Sequence, residues 1–153
     1  MATEYTWYGD ADVDTDSLRA FIATTTGGEQ HADGTVFFPG MYVSSARAEG
    51  DDVNPAVELF GFKERFSATF RLSKQADEPA QQHATALMAH TLIAFATRFG
   101  GHGVLLFNGE DNILQYGEGT VTFGAEWEDW AENPETAPLL TQFPSRVLPQ
   151  PLL

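Results

Sequence analysis

The sequence predicts an α+β fold in which one long and one short helix pack on an antiparallel sheet of about five to seven strands. Three observations support this fold class. Residues 66–73 alternate between apolar and polar side chains, residues 80–99 repeat apolar side chains at steps of three and four, and residues 104–123 contain three short apolar runs joined by turn residues. The length of 153 residues predicts a single domain over residues 1–153.

The first part of the chain predicts a strand followed by a short helix. Residues 4–8 are aromatic and β-prone, and the pleat of a strand would place Tyr5 and Trp7 on one face. Acids suited to a helix N-terminus come next, and apolar residues follow them at helical spacing. This pattern predicts a helix over about residues 15–24.

The next segments predict strands separated by loops. Residues 36–38 and 41–46 flank a Pro-Gly turn, and residues 66–73 have the clearest strand pattern of the chain. Between them, residues 57–62 predict a further strand that Gly61 interrupts. We therefore expect three or four strands before the long helix.

The second half predicts the main helix, a three-stranded meander and a C-terminal arm. Arg98 is the one charged residue between positions 80 and 99, which indicates a helix packed on the sheet. Asn108 and Gly109 are a tight-turn signal within the meander. Prolines recur from position 134 onward, so we predict an extended, proline-rich arm over the core.

The charge is strongly acidic and uneven. The chain has 22 acids and 8 Lys or Arg residues, a formal net charge of −14. Residues 1–50 hold eight acids and two bases, residues 51–100 hold six and five, and residues 101–153 hold eight acids and only Arg146. Such a field repels nucleic acid and anionic membranes and favours a basic partner, so we expect neither nucleic acid nor membrane as a partner.

Several classes of function lack their sequence signals. The chain has no Cys, no GxxxxGK[ST], GxSxG or HExxH motif, no signal-peptide pattern and no apolar run long enough to span a membrane. We therefore expect a cytoplasmic protein without a cofactor. His83 and His90 are seven residues apart, and two helical turns separate their side chains by about 10 Å, too far to share a metal directly.

The most distinctive segment combines tryptophans with acids over residues 126–132. On a helix, two tryptophans three residues apart would share a face, with acids around them. The two tryptophans can pack in the hydrophobic core, or they can be aromatic anchors of a protein-binding surface for a basic partner. The candidate partner-binding residues are Glu126, Trp127, Glu128, Asp129, Trp130 and Glu132, and a second acidic loop adds Glu49, Asp51 and Asp52.

Several of these segments, in this order, resemble the SitI-type immunity proteins. The similar parts are the strand and capped helix at 5–21, residues 58–62, the strand at 66–74 that ends in Phe-Arg-Leu-Ser-Lys, the Ala-rich helix, residues 103–111 with the sequence Gly-Val-Leu-Leu-Phe-Asn-Gly-Glu-Asp, and the proline-rich end. The two acidic stretches, 49–52 and 126–132, have no counterpart in the pattern that carries the resemblance.

The resemblance implies a small bacterial protein that protects its cell from a kin-delivered toxin of the Sit contact-dependent system. It would be a non-enzymatic inhibitor that binds a cognate protein toxin, with a basic toxin surface as the expected complement of the acids. The alternative from the residues alone is a small enzyme or ligand-binding domain that uses a sheet–helix cleft near His83, His90 and Glu110. A third alternative is a structural adaptor with no toxin partner.

Overall fold

The computed structural model describes residues 3–48 and 54–150. The described strands are β1 (Glu4–Gly9), β2 (Glu29–Gln30), β3 (Val36–Phe38), β4 (Met41–Arg47), β5 (Phe66–Leu72), β6 (Gly103–Phe107), β7 (Asp111–Gly117), β8 (Thr120–Gly124) and β9 (Ser145–Arg146). The described helices are α1 (Thr15–Thr26), α2 (Pro55–Glu58), α3 (Glu78–Phe99), α4 (Glu128–Glu132) and α5 (Ala137–Gln142). They form an α+β fold, which confirms the predicted class.

The strands form one sheet in the order β2-β3-β4-β5-β1-β6-β7-β8-β9. Neighbouring strands are antiparallel, except that β8 and β9 are parallel. The described part of the chain thus has nine strands where five to seven were expected. The edge strands β2 and β9 have two residues each, too few to produce an alternating sequence pattern.

The predicted strand at 57–62 is wrong. Its first residues belong to α2, and turns follow through Gly61, which has a φ of +79°. A positive φ is incompatible with extended pairing, so the segment leaves the sheet and folds over its outer face. There Val57 packs with Val104 and Leu106 of β6, and Tyr8, Phe60 and Phe62 pack against this small cluster.

Helix α3 covers the other face of the sheet. It begins after Asp77, whose carboxylate accepts a hydrogen bond of 2.9 Å from the Ala80 N–H, and ends at Gly100. The predicted apolar stripe is largely buried, and the extra buried alanines show that more than one stripe faces the protein. The buried residues are Ala84, Thr85, Ala86, Met88, Ala89, Thr91, Leu92 and Phe95.

Among the described residues, no helix combines the length and apolarity that a membrane crossing requires.

Trp7 lies at the centre of the main core, on the middle strand of the sheet. Its ring is fully buried and meets Phe66 and Phe95 edge-on, at centroid distances of 4.9 and 4.8 Å. Its Nε1–H donates a hydrogen bond of 3.0 Å to the hydroxyl of Tyr116. The same burial raises the pKa of Tyr116. Tyr5 and Trp7 therefore face the same side, as predicted, and join β5, β7 and α3.

The C-terminal arm is only partly extended. It contains α4 and α5, then β9, which adds to β8 through hydrogen bonds such as Ala125 N–H to the Arg146 carbonyl, 2.8 Å. Beyond β9 it returns over β7, where the Asn112 side chain donates to the Pro149 carbonyl and the Asn112 N–H donates to the Gln150 side chain. The arm therefore supplies the last strand of the sheet and covers part of its outer face.

We predict that Tyr116→Phe costs about 1–3 kcal/mol of unfolding free energy, because the Trp7 Nε1–H would stay buried without its acceptor. Urea unfolding followed by tryptophan fluorescence measures this change. Tyr8→Phe, on the outer face, is the matched control and should change stability by less than about 0.5 kcal/mol. Equal stabilities for wild type and Tyr116→Phe would contradict the prediction.

Candidate functional site

The segment at 126–132 follows β8 at one edge of the sheet. Helix α4 starts at Glu128, so Trp127 precedes it with extended backbone angles and caps it without a side-chain hydrogen bond. The two tryptophans therefore do not lie on one helical face as expected. Glu128 and Asp129 occupy the first turn, where carboxylates interact favourably with the helix dipole.

Trp130 belongs to the core. It is 2% exposed and lies 6.3 Å from the ring of Tyr5 and 5.8 Å from that of Phe123, measured between centroids. The hydroxyl of Thr136 donates a 2.6 Å hydrogen bond to the Trp130 carbonyl and fixes the turn after α4. Trp130 thus fastens the segment to the sheet and offers almost no surface to a partner.

Trp127 is partly buried and packs against Phe107, with ring centroids 4.8 Å apart. Its indole nitrogen is buried and makes no hydrogen bond within the described part of the chain. Phe107 also meets Tyr5 at 5.1 Å, so the two tryptophans share one aromatic cluster even though they contact different rings. Of the two, Trp127 keeps the surface that a partner can reach.

Four acids of this segment point to solvent. Glu126, Glu128, Asp129 and Glu132 are exposed, and none forms a salt bridge within the described residues. We call these four residues the acidic face. Asp129 lies close enough to Tyr5 to add to the increase of the Tyr5 pKa, whose main cause is burial. The acidic face therefore presents four uncompensated negative charges on a surface fixed by aromatic packing.

Polar contacts hold the same segment against α3. Asn133 is buried and donates from its amide to the Gln82 carbonyl at 3.2 Å, while its side-chain oxygen accepts from the Glu135 N–H at 2.9 Å. The Glu135 carboxylate lies 2.6 Å from Nδ1 of His83. His83, one of the histidines of the alternative hypothesis, thus has a structural partner.

The second acidic stretch cannot be placed. Glu49, Asp51 and Asp52 lie outside the described residues. They remain candidate contacts on sequence grounds alone.

The residues of the alternative cleft line neither of two cavities found in the described part of the chain. One cavity, of about 580 Å³, lies on the outer face of the sheet, and none of His83, His90 and Glu110 lines it. A second, of about 240 Å³, lies between α3 and the β7–β8 hairpin and is not lined by them either. Within residues 3–48 and 54–150, no group of three or more His, Asp or Glu side chains could hold a metal ion.

Sequence reasoning did not identify the residues that line the larger of these cavities. They come from segments far apart in the chain, among them Phe62, His102 and Arg146. One sequence signal was available, because Arg146 is the only Lys or Arg after Arg98.

A family model described as SitI3-like matches residues 3–134. The chain belongs to the SitI3-like family. This membership confirms the resemblance to SitI-type immunity proteins. No curated protein and no solved structure matches the chain.

The SitI3-like match also corrects the expected extent of the family pattern. It spans both 49–52 and 126–132, the acidic stretches that had no counterpart in the sequence resemblance. It ends before the proline-rich terminus, which was counted as part of that resemblance. The acidic face therefore lies within the shared region, and β9 and the residues after it lie beyond it.

We predict that two variants separate the packing role of Trp130 from the surface role of the acidic face. They are Trp130→Ala and the double change Glu128→Lys, Asp129→Lys. Trp130→Ala removes a buried ring and should cost roughly 3–5 kcal/mol of unfolding free energy. The double change affects exposed charges and should cost less than about 1 kcal/mol. Urea unfolding measures both values, and a stable Trp130→Ala variant would refute the core role.

Proposed function

We propose that this SitI3-like protein is a non-enzymatic immunity protein that binds a cognate toxin and neutralises it. The observation that carries the proposal is the family match over residues 3–134. The partner we propose is a protein toxin with a basic surface, because the charge of −14 favours association with such a surface and disfavours nucleic acid.

The acidic face is the contact surface that the geometry supports best. Three of its carboxylates stand on α4 and Glu126 precedes this short helix, which Trp130 and Trp127 fix to the sheet. A surface held in this way loses little conformational freedom on binding, so more of the interaction energy remains for affinity. Exposed acids without bases beside them can pair with Lys and Arg of a toxin and block the site that those residues form.

The chemistry of the described residues is consistent with binding alone. His102 is hydrogen-bonded to Asp10, an arrangement that can orient a histidine base, but no hydroxyl of the described residues is hydrogen-bonded to His102. The chain also has no cysteine. The pairing of nucleophile and base that acyl transfer uses is therefore not found in this part of the protein.

We predict that co-expression with the toxic domain encoded beside this gene restores growth and that the two proteins form a complex. Growth curves and co-purification of the tagged toxin measure the two outcomes. The adaptor alternative predicts neither. A toxin that is neither bound nor neutralised by the full chain would overturn the proposal.

We predict that Glu128→Lys with Asp129→Lys slows association with the toxin about tenfold at low salt and flattens its dependence on ionic strength. Stopped-flow association rates at several salt concentrations measure both effects. Glu29→Lys with Asp33→Lys is the matched control, because it makes the same charge change near the opposite sheet edge. If both double variants associate equally fast, the acidic face has no special role in encounter.

A further inference from the structure

The outer face of the sheet carries a groove that the function proposed above does not use. Strands β6, β7 and β8 form its floor, the residues that follow α2 form one wall, and the C-terminal arm forms the other. Its volume of about 580 Å³ lies within the range of binding clefts in proteins. Its lining includes Leu59, Phe60, Phe62, His102, Gln115 and Arg146, together with the exposed carboxylate of Glu118.

One wall of the groove is apolar and well supported. Phe60 and Phe62 pack against the buried outer cluster of Val57, Val104 and Leu106. Phe62 is also stacked on His102, with centroids 6.1 Å apart and planes inclined by 19°. Leu59 extends beyond this wall and is 46% exposed. The wall therefore offers apolar surface whose position is fixed before any ligand arrives.

Two polar side chains of the groove are held in place and keep atoms that can form further hydrogen bonds. Asp10 accepts from the His102 N–H at 2.6 Å and lies 3.1 Å from Nδ1 of the same residue, so the His102 ring is oriented while its Nε2 has no partner in the described chain. The side-chain oxygen of Gln115 accepts from Asn112, and its amide nitrogen makes no hydrogen bond among the described residues. Both groups can therefore contact a ligand.

Arg146 supplies the positive charge of the groove, whose lining also contains the negative charge of Glu118. It is the only Lys or Arg in residues 101–153, and it forms no salt bridge within the described residues. Its carbonyl accepts from the Ala125 N–H at 2.8 Å, so its backbone is fixed in β9 while the guanidinium remains available. A guanidinium beside an apolar wall is complementary to a carboxylate next to an apolar group, and it can hold that carboxylate through two hydrogen bonds.

The surroundings of the groove favour a protein segment as its ligand. The described residues include four exposed large hydrophobic side chains, and one of them, Leu59, lines the groove. Leu59 continues the apolar wall of Phe60 and Phe62, and a contiguous exposed apolar patch is typical of a protein contact. The groove and the acidic face also border the same edge of the sheet. The backbone N–H of Ala125 donates a hydrogen bond to the carbonyl of Arg146, which lines the groove, and Ala125 directly precedes Glu126 of the acidic face. One partner that grips this edge can reach both surfaces.

We propose that the groove receives a segment of the toxin in which an apolar side chain lies beside a carboxylate. The apolar side chain contacts Phe60 and Phe62, and the carboxylate pairs with Arg146. This inference rests on the proposed function, since it assumes that a toxin is bound. The groove then supplies a central, well-packed contact that slows dissociation, whereas the acidic face accelerates encounter.

The test compares charge and shape variants of the full chain in their binding to the toxic domain encoded beside the gene. Arg146→Glu should weaken binding at least tenfold, mainly through faster dissociation, and Leu59→Asp should weaken it comparably. Arg146→Lys should lie between wild type and Arg146→Glu, because a lysine keeps the charge but loses the two-pronged geometry. Lys74→Glu makes the same charge change at an exposed site away from the groove and should bind within twofold of wild type.

Surface plasmon resonance gives the rates, and thermal melting checks that each variant is folded. If wild type binds and both Arg146→Glu and Leu59→Asp bind with the wild-type dissociation rate, the groove proposal is overturned while the immunity function stands. If Lys74→Glu weakens binding as much as Arg146→Glu, the effect is one of net charge and the groove proposal is also overturned. Absence of any binding by wild type overturns the proposed function and the groove proposal together.

Discussion

The burial of Trp7 in the middle strand is the constraint on which the rest of the structure depends. Its ring contacts β5 and α3 through Phe66 and Phe95, and its indole N–H reaches Tyr116 on β7. Space for these rings comes from glycines on neighbouring positions, because a methyl group at Gly103 would overlap the ring of Tyr116. One side chain therefore fixes the relative positions of the helix layer and of four central strands.

Both surfaces proposed to bind the toxin are built on this centre. The acidic face is fastened through Trp130 to Tyr5, which lies on the same strand and the same face as Trp7. The groove occupies the side of β6, β7 and β8 that faces away from the Trp7 core. A single rigid sheet thus presents charge at one border and an apolar cleft with a guanidinium on its outer face.

Local patterns in the sequence predicted the parts of the fold that local physics decides. The alternation at 66–73 predicted β5, and the apolar repeat at 80–99 predicted α3, which the structure places at Glu78–Phe99. The roles of the two tryptophans at 127 and 130 were harder to predict, because they depend on where α4 begins. Once the helix starts at Glu128, Trp127 and Trp130 contact different rings. The groove was beyond prediction, since its walls come from segments that meet only when the arm returns across the finished sheet.

The two short edge strands have a consequence for how this sheet meets other chains. A wide sheet with long, exposed edges invites pairing with further strands and hence aggregation. Here both outermost strands are two residues long, and each carries a charged residue, Glu29 in one and Arg146 in the other. Such edges give an incoming strand almost no backbone to pair with. The sheet therefore resists polymerisation through its edges, and contacts with other chains are directed to side-chain surfaces.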